Sequence, residues 1–170
     1  SNILNLMLRT DWKGNDLTTN ALIDNNTAIK AAIIAKESGI VSGIDEISFF
    51  LKKNKLRIKL LKKDGEKVAA NEKIAILYGN ARKIFSMERT CLNVMQRMSG
   101  ISTKTRLLAE IIGCNVRLAG TRKTILGPLE HKAITLGGGL SHRLGLYDSI
   151  LIKSNGFVYT FINGCCAIII

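Results

Sequence analysis

The chain has 170 residues, 46% of them hydrophobic, and a formal net charge of +12. That is a length for one ordinary domain or two small ones, and an apolar content that excludes a disordered tail. The positive excess favours an anionic partner, whether nucleic acid, a membrane surface or a phosphorylated small molecule. Five Phe, three Tyr and one Trp do not interleave with the basic residues along the chain, so nucleic acid is the weaker of these readings and is not expected. No secretory leader is expected, and the apolar ending FINGCCAIII is too short to cross a bilayer, so no membrane partner is expected either. Cysteines 91, 114, 165 and 166 form no CxxC pair and have no histidine at ligand spacing. They read as free thiols of a reduced cytoplasmic protein rather than as a zinc site.

In chain order, DWKGNDLTTNALI combines turn formers with a Thr-Thr pair and suits a loop or helix cap. AIKAAIIAKESGIVSGI reads as short strands bounded by Gly39 and Gly43, IDEISFFLKK as a helix, and KLRIKLL as a half-buried strand. KKDGEKVAANEKIAILYG reads as a hairpin whose Lys-Asp-Gly-Glu turn feeds a second strand. From Asn80 to Met98 apolar residues recur every three or four positions, the mark of an amphipathic helix. Gly100 is expected to interrupt it, with a second helix over Thr103–Ile112 ended by Gly113. NVRLAGTRKT then reads as a buried strand running into a polar loop, PLEHKAITLGGG as a helix opening on Pro128, and YDSILIKSNG as a further strand.

Strand, helix, strand is the repeating unit of a parallel sheet or barrel, in which ligands sit where strands end. Arg122 and Lys123 follow one such end, Lys153 marks the end of the next, and His142 and Arg143 lie in the connection before it. If the two strands are parallel neighbours, these cations share one mouth. Guanidinium groups bind carboxylates through paired hydrogen bonds, so an acidic ligand suits the set.

On DLTTNALI, ERTCLNVMQRMSGISTKTR, AGTRKT and GGGLSHRLGLYDSILIKSN, in that order, the chain resembles the nicotinate-nucleotide pyrophosphorylases, or quinolinate phosphoribosyltransferases. The resemblance implies an N-terminal α/β sandwich domain over residues 1–102 and the first part of an incomplete β/α barrel over 103–170. It implies a homodimer in which the sandwich of one subunit covers the barrel mouth of the other. The reaction it implies joins quinolinate and phosphoribosyl pyrophosphate, with Mg²⁺, into nicotinate mononucleotide, pyrophosphate and CO₂, a step of NAD biosynthesis.

Matched position by position, Arg122, His142, Arg143 and Lys153 would hold the quinolinate carboxylates. Lys123 would stand near substrate and sugar phosphate as the catalytic lysine, and Arg89 would reach in from the partner subunit. The chain departs from the family in TRKTILGPLEHKA, in His131 where a lysine is common, in Gly156 after Asn155, and in the uncharged ending. It is shorter than the family by about a domain, and the family's acidic Mg²⁺ ligands and sugar-phosphate loops are not found in it. The chain as written is therefore expected to bind acids weakly and to turn over no quinolinate. The alternatives are a non-catalytic truncated remnant and a related phosphoribosyltransferase acting on another acid.

Overall fold

In the computed structural model the first of two units, Ser1–Ser99, opens with helices α1 (Asn2–Trp12) and α2 (Leu17–Leu22). The described residues are 2–13, 15–142, 144, 145, 147, 148, 152–154, 157–159 and 167–169, the last three segments and residue 2 by their backbone. Leu4 and Leu8, one turn apart on α1, are buried. Asp16 caps α2 by accepting from the Thr19 backbone N–H at 3.0 Å and from its hydroxyl at 2.6 Å, so DLTT is a cap as its residue types suggest.

Strand β1 (Ala28–Ile34) alternates exposed and half-buried residues, and β2 (Gly39–Ile40) follows after a bend. Helix α3 (Ile44–Lys53) buries Ile44, Ile47, Phe50 and Leu51 on one stripe. It carries Asp45 and Glu46 in its first turn and Lys52 and Lys53 in its last, the order its dipole favours. Then come β3 (Arg57–Leu60), β4 (Lys67–Val68) and β5 (Lys73–Asn80). β5 is the middle strand of an antiparallel sheet ordered β1-β5-β3, while β2 and β4 pair separately.

The expected hairpin is therefore corrected. Lys63-Asp64-Gly65-Glu66 does turn, with the Glu66 N–H donating to the Lys63 carbonyl at 3.2 Å and Gly65 at φ +86°. It feeds β4, which pairs with β2, and a second turn from Ala69 to Glu72 is needed before β5 returns beside β3. Long-range bonds made by the turn fix this outcome: Gly65 N–H donates to the Val41 carbonyl, and the Asp64 carboxylate accepts from Ile44 N–H at the start of α3.

Helix α4 (Ala81–Ile112) runs unbroken through Gly100, against the expected interruption. A lone glycine costs a helix only about 1 kcal/mol relative to alanine. Buried positions continue at helical spacing on both sides of it, from Met95 and Met98 to Ser102 and Thr105. Gly113, at φ +69°, ends the helix as expected, its N–H donating to the Ala109 carbonyl.

The second unit, Gly100–Ile170, adds β6 (Arg117–Ala119), α5 (Pro128–Leu136), β7 (Ile152–Ser154), β8 (Phe157–Tyr159) and β9 (Ala167–Ile169). β6 pairs in parallel with β9, and β7 pairs antiparallel with β8. The fold is thus α/β, a sandwich-type first unit followed by the start of a β/α barrel.

Candidate functional site

The chain enters the candidate site along β6, whose Leu118 and Ala119 are buried, and leaves it at Gly120. Thr121 is half-buried and turns the backbone by accepting from Lys123 N–H at 3.3 Å; Arg122 and Lys123 are exposed. After α5 the chain returns beside β6 at Leu140. There Leu140 N–H donates to the Leu118 carbonyl at 2.7 Å and Gly120 N–H to the Leu140 carbonyl at 3.1 Å, a parallel bridge of Ala119 to Leu140. β6, α5 and Leu140 make a short strand-helix-strand unit. Arg122 and Lys123 follow the C-terminal end of one of its paired segments, and half-buried His142 follows the same end of the other.

The expectation that the strand carrying Lys153 is the parallel neighbour of β6 does not hold among the described residues. β7 pairs with β8 in register Lys153↔Val158 and Ser154↔Phe157, and the neighbours of β6 are Leu140 and β9. Asn155 and Gly156, which join the two strands in the chain, lie outside the described residues. The Lys153 side chain and Arg143 lie outside the described residues.

What holds the return of the chain is the triple glycine. A Cβ on Gly137 would stand 2.6 Å from both the Ser102 carbonyl oxygen and Thr105 Cβ, and one on Gly139 would stand 2.7 Å from Ile134 Cγ2. Gly138 between them lies at φ +93°. The glycines thus serve close packing of α5 and its turn on the later part of α4. Ser102, fully buried, donates to the Ala133 carbonyl at 2.8 Å, and Arg106 Nε donates to the Gly137 carbonyl at 3.2 Å at the C-terminal end of α5, where a cation is favoured. Ser102 and Arg106 position the turn that leads to His142, and neither is legible in the sequence, where polar residues on a helix ordinarily read as its solvated face. Glu130 and His131 are buried on α5, and His131 Nδ1 has no hydrogen-bond partner among the described residues.

In the first unit Arg89 is exposed on α4, its Nε 3.6 Å from Asp11 Oδ2 of α1. The pair stands beside an open cleft of about 580 Å³ walled by Trp12, Leu17, Phe85 and Leu92 among others. Asp16, on its rim, has its carboxyl held below the usual range by the Thr19 hydroxyl and N–H. An ion pair this exposed contributes little to stability, so Arg89 is available to a partner group. Asp11 was not legible as its neighbour, because the two meet only through the packing of α1 on α4.

Among the described residues no group of three or more His, Cys, Asp or Glu is placed to hold a metal ion, and no helix is long and apolar enough to cross a membrane. Cys91 is buried, and burial pushes its thiol up to about 12; Cys114 is exposed. Cys165 and Cys166 lie outside the described residues.

Residues 16–99 match the model of the N-terminal domain of quinolinate phosphoribosyl transferase, and residues 101–161 that of its C-terminal domain. The chain is 38% identical over 158 residues to a probable carboxylating nicotinate-nucleotide pyrophosphorylase of Methanothermobacter thermautotrophicus, covering 90% of this chain and 57% of that protein. Identity to the protein so described in Methanocaldococcus jannaschii is 42%, covering 90% and 55%. Among solved structures, a NadC deletion mutant superposes with TM-score 0.85 at 30% identity, covering 90% of this chain and 57% of that one. The nicotinate-nucleotide pyrophosphorylase of Francisella tularensis gives 0.78 at 34%, covering 87% and 54%. The chain therefore spans a little over half the length of the relatives it matches.

Proposed function

We propose, from the premise that this chain belongs to the quinolinate phosphoribosyl transferase family, that it carries the acid-binding part of a carboxylating nicotinate-nucleotide pyrophosphorylase. The observation that carries the reading is the strand-helix-strand unit, which sends Arg122 and Lys123 from one strand end and His142 from the same end of its parallel neighbour. Arg122, His142, Arg143 and Lys153 are proposed to hold the two carboxylates of quinolinate, and Lys123 to face the departing pyrophosphate. Arg89 is proposed to serve the neighbouring subunit's site in a cytoplasmic homodimer.

The chemistry asks for positioning and charge. The pyridine nitrogen attacks the sugar carbon as its bond to pyrophosphate breaks, so negative charge grows on the leaving group, where a fixed ammonium stabilises it. The carboxylate beside the alkylated nitrogen then leaves as CO₂, its bonding pair staying on the ring carbon, which takes a proton. Mg²⁺ is proposed to arrive with phosphoribosyl pyrophosphate on the phosphate oxygens, as this ion commonly does. The described residues offer no acidic cluster for it, and no step is assigned to it.

The test is a panel of acids titrated into the chain by calorimetry. Quinolinate is expected to bind at least tenfold more tightly than nicotinate, because removing one carboxylate leaves a cation unpaired. Equal affinity for the two acids would favour a related phosphoribosyltransferase acting on a monocarboxylate.

A further inference from the structure

Tyr78 stands on the middle strand of the three-stranded sheet, and pairing sets Lys30 of β1 on one side of it and Arg57 of β3 on the other. Two residues along, on the same face, the next row is Ala32, Ile76 and Lys59. Lys30, Arg57 and Lys59 are exposed, Tyr78 is half-buried, and Lys30 Nζ lies 5.8 Å from the centre of the Tyr78 ring. The opposite face turns Ala75 and Leu77 into the core. On the open face the remaining paired positions near Tyr78 are Ala28 and Asn80, and no carboxylate occupies either row. The result is a flat patch, kept low by two alanines, with one aromatic ring at its centre and cations around it.

We infer that this open face binds single-stranded nucleic acid, a base displacing Lys30 from over the Tyr78 ring and stacking there while Lys30, Arg57 and Lys59 meet phosphates. An exposed cation facing one phosphate gains little in water, so a mononucleotide is too small to be held here. A strand crossing all three cations releases counterions at each contact and adds stacking on the ring. A duplex keeps its bases paired and offers the ring nothing. A second copy seated face to face is the poorer occupant, because it would set its own Lys30, Arg57 and Lys59 against these three. Read along the chain, the aromatics and cations do not interleave; across three strands they do. The inference does not rest on the acid-binding reading, whose carboxylate-holding residues Arg122, His142, Arg143 and Lys153 belong to the other unit.

The experiment is fluorescence anisotropy with a labelled oligodeoxythymidine and the full chain. Saturable binding is expected, with log K falling against log salt at a slope of about −2 for three phosphate contacts, and by about 0.7 less in Lys59→Ala. Tyr78→Ala should weaken binding on the order of tenfold, while Tyr78→Phe, which keeps the ring and the fold, should match the parent. The double variant Arg122→Ala, Lys123→Ala should also bind as the parent does. The inference is overturned by no binding at low salt, by equal competition from duplex or heparin, or by loss of binding only in the Arg122, Lys123 double variant. It is equally overturned if the triple variant Lys30→Ala, Arg57→Ala, Lys59→Ala still binds, or if that variant only shifts a dimer to monomer in sedimentation, which would make the face a contact between copies.

Discussion

In the first unit Phe50, Ile44, Ile47, Val94 and Met98 are sealed from water, and the unit holds a three-stranded antiparallel sheet. In the second unit β6 has three residues, and α5 is held through Ser102, Thr105, Arg106 and the close approaches of Gly137 and Gly139. One unit rests on apolar transfer, which tolerates small changes of shape. Among the described residues of the other, α5 is held by polar contacts and by atoms that glycine alone leaves room for, which tolerate less. The candidate acid-binding cations are carried by the second kind, where a small displacement of the turn moves His142 directly.

The largest expected effect lies in the first unit. Phe50→Ala removes a ring with no exposure and should cost about 3–5 kcal/mol in urea denaturation; a cost under about 1 kcal/mol would break the contrast between the units. Next comes Gly137→Ala, whose new methyl meets a backbone oxygen that cannot rotate away and should cost about 1–3 kcal/mol. The same substitution at Gly100, where a Cβ would meet nothing within 4 Å inside α4, should stabilise by about 1 kcal/mol. If both glycine changes had the same sign, the account of the triple glycine would fail.

A smaller effect concerns the two cysteines in the described residues. Folding holds Cys91 as the neutral thiol, its pKa raised from 9.0 to about 12 by burial. Its contribution to stability is therefore complete below pH 9 and is lost as pH rises from 9 towards 12. At pH 8 a thiol reagent followed by peptide mapping should label exposed Cys114 and spare Cys91 until denaturant is added.

Much of the first unit was legible because its signals are local. The short apolar runs of AIKAAIIAKESGIVSGI, the 3.6 period after Asn80 and the Asp16 cap each lie within a few residues of what they determine. Where the expectation failed, a distant partner decided. Asp64 and Gly65 are drawn to Ile44 and Val41 and so divert the hairpin, and flanking packing carries α4 through Gly100. In the site, AGTRKT and GGG were legible as strand end and turn, while the pairing of Leu140 with β6 and the anchoring by Ser102 and Arg106 were not.

The most direct test of the account is calorimetric titration of quinolinate into the parent chain and into Arg122→Ala and Arg143→Ala. If these guanidinium groups hold the two carboxylates, each substitution should weaken binding by about 2–5 kcal/mol, with circular dichroism unchanged in Arg122→Ala because Arg122 is exposed. Measurable binding to the parent that persists with the same affinity in both variants would contradict the assignment of the acid site to the strand end beyond β6.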